Sequence, residues 1–249
     1  MTEAISSSHN EALKEVRKLA GKKWRDKLGS FVAEGEDLLE AAEAAGWHPS
    51  ARYVTSDSGL EGIPVLPHVM ASVSQLGSGT RAIGVYPQRW AQPQGPLCIA
   101  LWGVGDPGNV GTVIRSALAF GASCVALGPG SADPWSHKAV RASMGAIFSM
   151  PVAKVRSASE LPGRKIALAA RAGSPLQRVK PKSASTGEAG RADMAPVTLV
   201  VGAEREGLSD EFVAGCDDVA HIPIAHADSL NAAMAATVAV YELTRITRP

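Results

Sequence analysis

The sequence predicts an α/β protein: a parallel sheet covered on both faces in the C-terminal part, preceded by a smaller α/β domain. Three observations carry this. Short apolar runs at 97–102, 124–127, 166–170, 197–201 and 219–224 alternate with helical patterns at 110–120, 137–147, 209–215 and 229–246. The run Leu-Cys-Ile-Ala-Leu-Trp at 97–102 is apolar throughout, as expected for a strand buried on both faces. Gln92-Pro93-Gln94-Gly95-Pro96 reads as a linker, which divides the chain into domains 1–92 and 97–249.

Taken in order, Ser8-His9-Asn10-Glu11 reads as a capping box. Leu13, Val16, Ala20, Trp24 and Leu28 follow at helical spacing, with Gly21 and Gly29 as weak points or stops. Phe31-Val32-Ala33 reads as a short strand ended by Gly35, and 38–45 as a helix stopped by Gly46. Strands are expected at 52–55, 63–66 and 81–86, and a short helix at 69–76. Residues from about 173 to 196 are rich in Ser, Lys, Gly, Pro and Ala, and read as an insertion loop.

The 249 residues, 45% of them hydrophobic, suffice for a sizeable core. The net charge of +1 points to no partner, but its distribution does. Between Lys14 and Lys27 seven cations face only Glu15 and Asp26, a local pattern suited to a polyanion. The three cysteines, Cys98, Cys124 and Cys216, form neither a metal pattern nor a disulfide framework. The polar N-terminus and the lack of a long apolar stretch lead us to expect a soluble, cytoplasmic protein with no membrane partner.

Gly103-Val104-Gly105-Asp106-Pro107-Gly108 has the spacing of a dinucleotide fingerprint after a strand. Pro107 intrudes into it, and the next strand ends without an acidic residue to hold a ribose. Asn109 and Arg115 follow on a helix start. Arg115 has Ile114, Ala117 and Leu118 for neighbours and no acidic residue within four positions, so it is either a solvated helix residue or an anion ligand. Glu204, between Gly202 and Glu206, is either part of a surface charge cluster or part of a structured turn before Ser209, a good N-cap. Ser229 reads as the cap of the last helix, whose face of Met234, Val238, Tyr241 and Leu243 suits a core or a dimer seam. His137, Lys138 and Arg141 open a further helix, read as a solvated face or a second anion surface.

Three motifs occur in a specific order. They are Asn109-Val110-Gly111-Thr112-Val113-Ile114-Arg115-Ser116-Ala117, then Val200-Val201-Gly202-Ala203-Glu204-Arg205-Glu206-Gly207-Leu208-Ser209, then His221-Ile222-Pro223-Ile224 with Asp228-Ser229-Leu230-Asn231-Ala232-Ala233. Together they resemble the SpoU (TrmH-like) branch of the SPOUT methyltransferases. The first half resembles, more loosely, that family's L30e-like RNA-binding domain, through the basic stretch and Phe31-Val32-Ala33-Glu34-Gly35. The resemblance implies a trefoil-knotted catalytic domain, S-adenosylmethionine as cofactor, no metal, a homodimer, and methyl transfer to a ribose 2′-hydroxyl of ribosomal or transfer RNA. Carried over, Asn109, Arg115, Glu204, Ser229 and Asn231 match catalytic positions, while Gly202, Ile222 and Leu230 match cofactor-binding ones. A guanidinium stays protonated, so Arg115 is expected to stabilise a developing alkoxide rather than take a proton. RNA contact is expected from Arg17, Lys18, Lys22, Lys23 and Arg25 in the basic stretch, with Arg81 and Arg141. A catalytically silent RNA-binding protein on the same fold is the alternative.

Overall fold

The computed structural model describes residues 3–76, 79–179, 195–226 and 228–245. Gly21 breaks the basic stretch into two helices. α1 (Glu11–Lys18) begins where the Asn10 side chain accepts the Ala12 N–H, so the cap is Asn10 and not Ser8. α2 (Lys22–Leu28) ends at Gly29, whose φ of 58° suits a residue without a Cβ. The apolar stripe expected through 13–28 therefore holds only in its first part. Leu13 and Val16 are buried, whereas Ala20 and Leu28 are exposed.

β1 (Ser30–Glu34), α3 (Glu36–Ala44), β2 (Ala51–Thr55), β3 (Ile63–Val65), α4 (Pro67–Val73) and β4 (Ala82–Pro87) complete this part of the chain. The strands form one sheet in the order β1-β4-β2-β3, antiparallel except between β2 and β3. Strand alternation decides the faces. Val32, Ile83 and Val85 pack with Leu13, Val16, Val69 and Met70 on one side. Phe31 and Tyr86 lie in a separate cluster of aromatic rings.

A second sheet follows the linker. In chain order the elements are β5 (Leu97–Trp102), α5 (Pro107–Phe120), β6 (Cys124–Leu127), α6 (His137–Ala142), β7 (Val152–Lys154), β8 (Arg164–Leu168), β9 (Ser174–Pro175), β10 (Val197–Gly202), α7 (Asp210–Ala214), β11 (Asp218–His221) and α8 (Ala232–Arg245), of which α6 packs on β1 of the first sheet. The seven strands run in the order β7-β6-β5-β10-β8-β11-β9, and every pairing is parallel. Cys98, Ala100, Cys124, Ala126 and Val200 form one buried face, with Trp102, Leu208 and Phe212 packed against it. α5 and α8 pack on each other, and α8 on β10, burying Val113, Ile114 and Ala117 of α5 and Ala233, Ala236 and Val240 of α8. The sheet is thus covered on both faces, as the alternating pattern implies. Cys98 and Cys124 are free, buried thiols.

One helix start and one helix end differ from expectation. Asp106 caps α5 by accepting the Asn109 N–H, and Pro107 takes the first helical position, where a missing N–H costs nothing. Asn109 is therefore inside the helix, and Arg115 lies in its third turn. The helix expected over 137–147 stops at Ala142, because Met144 (φ 48°) and Gly145 (φ 84°) leave the helical region before a 3₁₀ turn at Ala146–Phe148. Strands β7 and β9 are too short to show a period in the sequence. β9 falls within the expected 173–196 loop, of which residues 180–194 lie outside the described residues.

Contacts divide the chain into Met1–Arg89 with Asp133–Ser149, and Trp90–Ala132 with Met150–Pro249. The chain thus leaves the second unit after Ala132 and returns to it at Met150. Trp135 and Phe148, on this excursion, join Phe31, Trp47 and Tyr86 in the aromatic cluster, and Trp47 Nε1 donates to the Phe148 carbonyl at 2.7 Å. Sequence order alone groups 133–149 with the C-terminal half. Only the packing of these rings places it in the first unit.

Candidate active site

β10 is buried along its whole length between β5 and β8, and the chain reverses just beyond it. Ala203 and Gly207 close this turn through two backbone hydrogen bonds of 3.2 and 3.0 Å, with Gly207 at φ 68°. Gly202 is what permits it. A Cβ there would stand 2.4 Å from the Gly207 carbonyl carbon and 2.6 Å from the Leu208 nitrogen. The space beside Gly202 is thus filled by the protein's own backbone.

The turn forms one wall of a cavity of about 320 Å³ at the carboxyl edge of the sheet. Leu168, Ala169 and Ala170 after β8 form another wall, and Ile222, Ile224, Ser229 and Leu230 after β11 a third. Gly202, Ile222 and Leu230 all line it, and so do Glu204 and Ser229. Leu168–Ala170 and Val213 were not marked by any motif, and Leu208 was marked only as part of the second motif; the signal for the first three is their position at the end of a strand beside β10. None of Gly103, Gly105 and Gly108 lines this cavity, and Gly108 is inside α5, so the dinucleotide reading gains no support here.

Beside the cavity, three polar side chains form a directed chain. Asn231 Oδ1 accepts the N–H groups of Ala233 (2.9 Å) and Met234 (3.3 Å), so Asn231 rather than Ser229 caps α8. Its amide nitrogen must then face outward, and it donates to Asn109 Oδ1 at 3.1 Å. Asn109 Nδ2 donates in turn to Glu204 Oε1 at 2.8 Å. Each bond sets the direction of the next, because an amide offers its acceptor and its donors at opposite corners. Arg115 stands apart. Six residues along α5 place it roughly 120° around the helix from Asn109, on an exposed face with Thr112, Leu118 and Ala119. α8 exposes Met234, Val238 and Tyr241, with the Tyr241 ring against Phe120 of α5 at 5.5 Å.

The match to known families agrees with this arrangement. Residues 96–241 match the SpoU rRNA Methylase family, and residues 10–84 match an MRM3-like substrate binding domain. The chain belongs to the SpoU rRNA methylase family. One relative, the 23S rRNA (guanosine(2553)-2'-O)-methyltransferase RlmP of Bacillus subtilis, is 29% identical over 96% of this chain and 98% of its own length. The 23S rRNA (uridine(2479)-2'-O)-methyltransferase of Streptomyces viridochromogenes is 40% identical over 56% of this chain and 49% of its own. Among solved structures, an AdoMet-bound rRNA methyltransferase from Sinorhizobium meliloti superposes with a TM-score of 0.85 at 31% identity, covering 100% of this chain and 99% of that one.

In this SpoU family member the expected RNA ligands separate into two groups. Lys18, Lys22 and Lys23 are exposed. Arg25 is not, which corrects its assignment as an RNA contact. Its guanidinium is buried, donating to the carbonyls of Leu19 (2.8 Å) and Ala20 (2.7 Å) and pairing with Asp133 at 2.8 Å. The helix turns Arg25 inward because its neighbours on that side need a donor, a demand that a charge count cannot register. Arg17 is half-buried and bonded to the Ser8 carbonyl and to Ser72 Oγ. Arg81 pairs with Glu36 at 3.2 Å and donates to the Ser58 carbonyl. Arg141 is exposed in the last turn of α6, near His137, whose pKa is pushed down by burial, with Arg141 adding to the effect and Glu34 opposing it. Among the described residues, no helix is long and apolar enough to cross a membrane, and no three His, Cys, Asp or Glu side chains gather as a metal site.

Proposed function

We infer that this protein transfers a methyl group from S-adenosylmethionine to a ribose 2′-hydroxyl of ribosomal RNA. The observation that carries this reading is the convergence of residues from separate motifs on one cavity edge: Gly202, Glu204, Ile222, Ser229 and Leu230 line the cavity, and Asn109 and Asn231 are bonded to Glu204. The residues present fit the cofactor. Apolar side chains at Leu208, Val213, Ile222 and Leu230 suit an adenine, and the turn at 203–207 brings backbone groups to the same wall. When bound, S-adenosylmethionine supplies an electrophilic methyl on a sulfonium.

The protein's part is to bring a ribose hydroxyl into line and to stabilise charge on its oxygen. The Asn231–Asn109–Glu204 chain holds one carboxylate and two amides in fixed directions beside the cavity, which suits the orientation of a ribose. Arg115, exposed and outside that chain, is the group we assign to the developing alkoxide. Its place on the face that also exposes Leu118, Met234, Val238 and Tyr241 supports a homodimer in which this face is covered and Arg115 serves a site at the subunit interface. The trefoil crossing implied by the resemblance and a cytoplasmic location belong to the same reading.

The test is methyl transfer from radiolabelled S-adenosylmethionine to ribosomal RNA, followed by alkaline hydrolysis. A 2′-O-methylated nucleotide resists hydrolysis and appears as a labelled dinucleotide. Cofactor binding without any labelled dinucleotide would favour a silent RNA-binding protein instead.

A further inference from the structure

The chain has five tryptophans, and Trp24 is placed unlike the core ones. Trp47 and Trp135 are buried among other rings, and Trp102 packs against Phe212. Trp24 is half-buried on α2, and two ammonium groups flank its ring. Lys18 Nζ and Lys27 Nζ each lie 5.1 Å from its ring centroid. Lys22 and Lys23 are exposed on the same seven-residue helix. Among the described residues no ion pair holds Lys18, Lys22, Lys23 or Lys27, although Asp26 is adjacent in sequence.

The side of α2 away from Lys23 and Lys27 is anchored. Arg25, pinned by Leu19, Ala20 and Asp133, lies roughly 160° or more around the helix from Lys23 and Lys27. The helix is thereby held on one face, while Lys23 and Lys27 point away from it and Lys18 of α1 and Lys27 flank the indole. Cations alone would serve a duplex, whose recognition rests on phosphates and shape. An indole adds a π-face, which among the groups of an RNA suits an unstacked base. Ammonium groups over that ring keep it occupied until phosphates draw them away.

We propose that Trp24 is a stacking platform for an unpaired base of the RNA substrate, with Lys18, Lys23 and Lys27 contacting the flanking phosphates. The substrate is therefore RNA presenting a loop, bulge or single strand at this surface. This rests on the reading above that the protein acts on RNA, and it adds which structural class of RNA the first unit selects.

The test uses the full-length protein with three probes: oligouridylate, a stem-loop RNA, and the same stem as a blunt duplex. Trp24→Ala should weaken the first two by about 10-fold, leave the duplex unchanged, and leave the salt dependence as it was, because a stacked base releases no counterions. Trp24→Phe should restore most of the loss. The double change Lys23→Ala with Lys27→Ala should weaken all three probes and flatten their salt dependence. In methyl transfer, Trp24→Ala should raise KM for RNA and leave kcat in place.

Unchanged affinity of folded Trp24→Ala for oligouridylate and stem-loop, with the lysine variant impaired, overturns the stacking role alone. Indifference of both variants overturns the whole RNA face on α2, while methyl transfer to ribosomal RNA, measured separately, still stands or falls by itself. Equal weakening of loop and duplex by Trp24→Ala also overturns the proposal. Should Trp24→Ala fail to fold, photocrosslinking of the unaltered protein to 5-iodouridine in the loop decides: adducts at Trp24 support stacking, and adducts confined to other residues overturn it.

Discussion

At the carboxyl edge of the parallel sheet, polar side chains are spent on one another. Asn231 satisfies the start of α8, turns its amide to Asn109, and Asn109 reaches Glu204. On α1 and α2 the cations divide instead. Lys14 pairs with Glu11 and Arg25 with Asp133, while Lys22 and Lys23 stay open to solvent. The first region is preorganised, so little ordering remains when a small ligand binds. The second leaves lysine ammonium groups exposed; in the function proposed above they would meet RNA phosphates, whose binding is driven by released counterions and needs less exact geometry. The difference teaches that a polar residue's neighbours decide whether it acts on a ligand or on the fold.

The largest effect should come from Gly202. Its Cβ position is filled by the backbone of the 203–208 turn, so Gly202→Val must displace that turn and with it one wall of the cavity. Calorimetry should find no S-adenosylmethionine binding; wild-type affinity would mean that the cofactor sits elsewhere. Arg25→Ala sharpens the contrast from the other side. It leaves the Asp133 carboxylate buried without its partner and should cost about 3–5 kcal/mol of stability by denaturant melting. Were Arg25 a surface RNA ligand, the melt would scarcely move.

Arg115→Ala should slow methyl transfer by about 100-fold or more, with fold and cofactor affinity retained, because one transition-state contact is lost. Near-normal turnover would remove Arg115 from the chemistry and leave the Asn109–Glu204–Asn231 chain to account for it. The smallest effect distinguishes two neighbours. Asn231→Ala removes the cap of α8 and should cost about 1 kcal/mol of stability, whereas Ser229→Ala should stay within about 0.5 kcal/mol. Equal costs in thermal melts would mean that Ser229 shares the cap.

Much of the second unit was legible in the sequence. The runs 97–102 and 197–201 read as buried strands because a parallel strand covered on both faces has no polar side. β7 and β9, with three and two residues, were not legible, because so short a segment has no period. In the site, Gly202, Ile222 and Leu230 were marked by motif, and each lines the cavity. The true helix caps, Asp106 and Asn231, were missed because each stands close to another residue able to cap, and only the hydrogen bonds to the first helical N–H groups choose between them.

By itself, then, the amino-acid sequence determined the alternation of strands and helices and the motif residues that the strand ends carry to one edge, since both depend on local spacing. Tertiary structure alone decided that Asp133–Ser149 packs with the first unit, that Arg25 is an internal anchor, and that Arg115 lies outside the Asn231–Asn109–Glu204 chain. Each of those depends on a partner distant along the chain. Residue 133 meets residue 25, and residue 231 meets residue 109, only after the sheets have set where helices and loops lie.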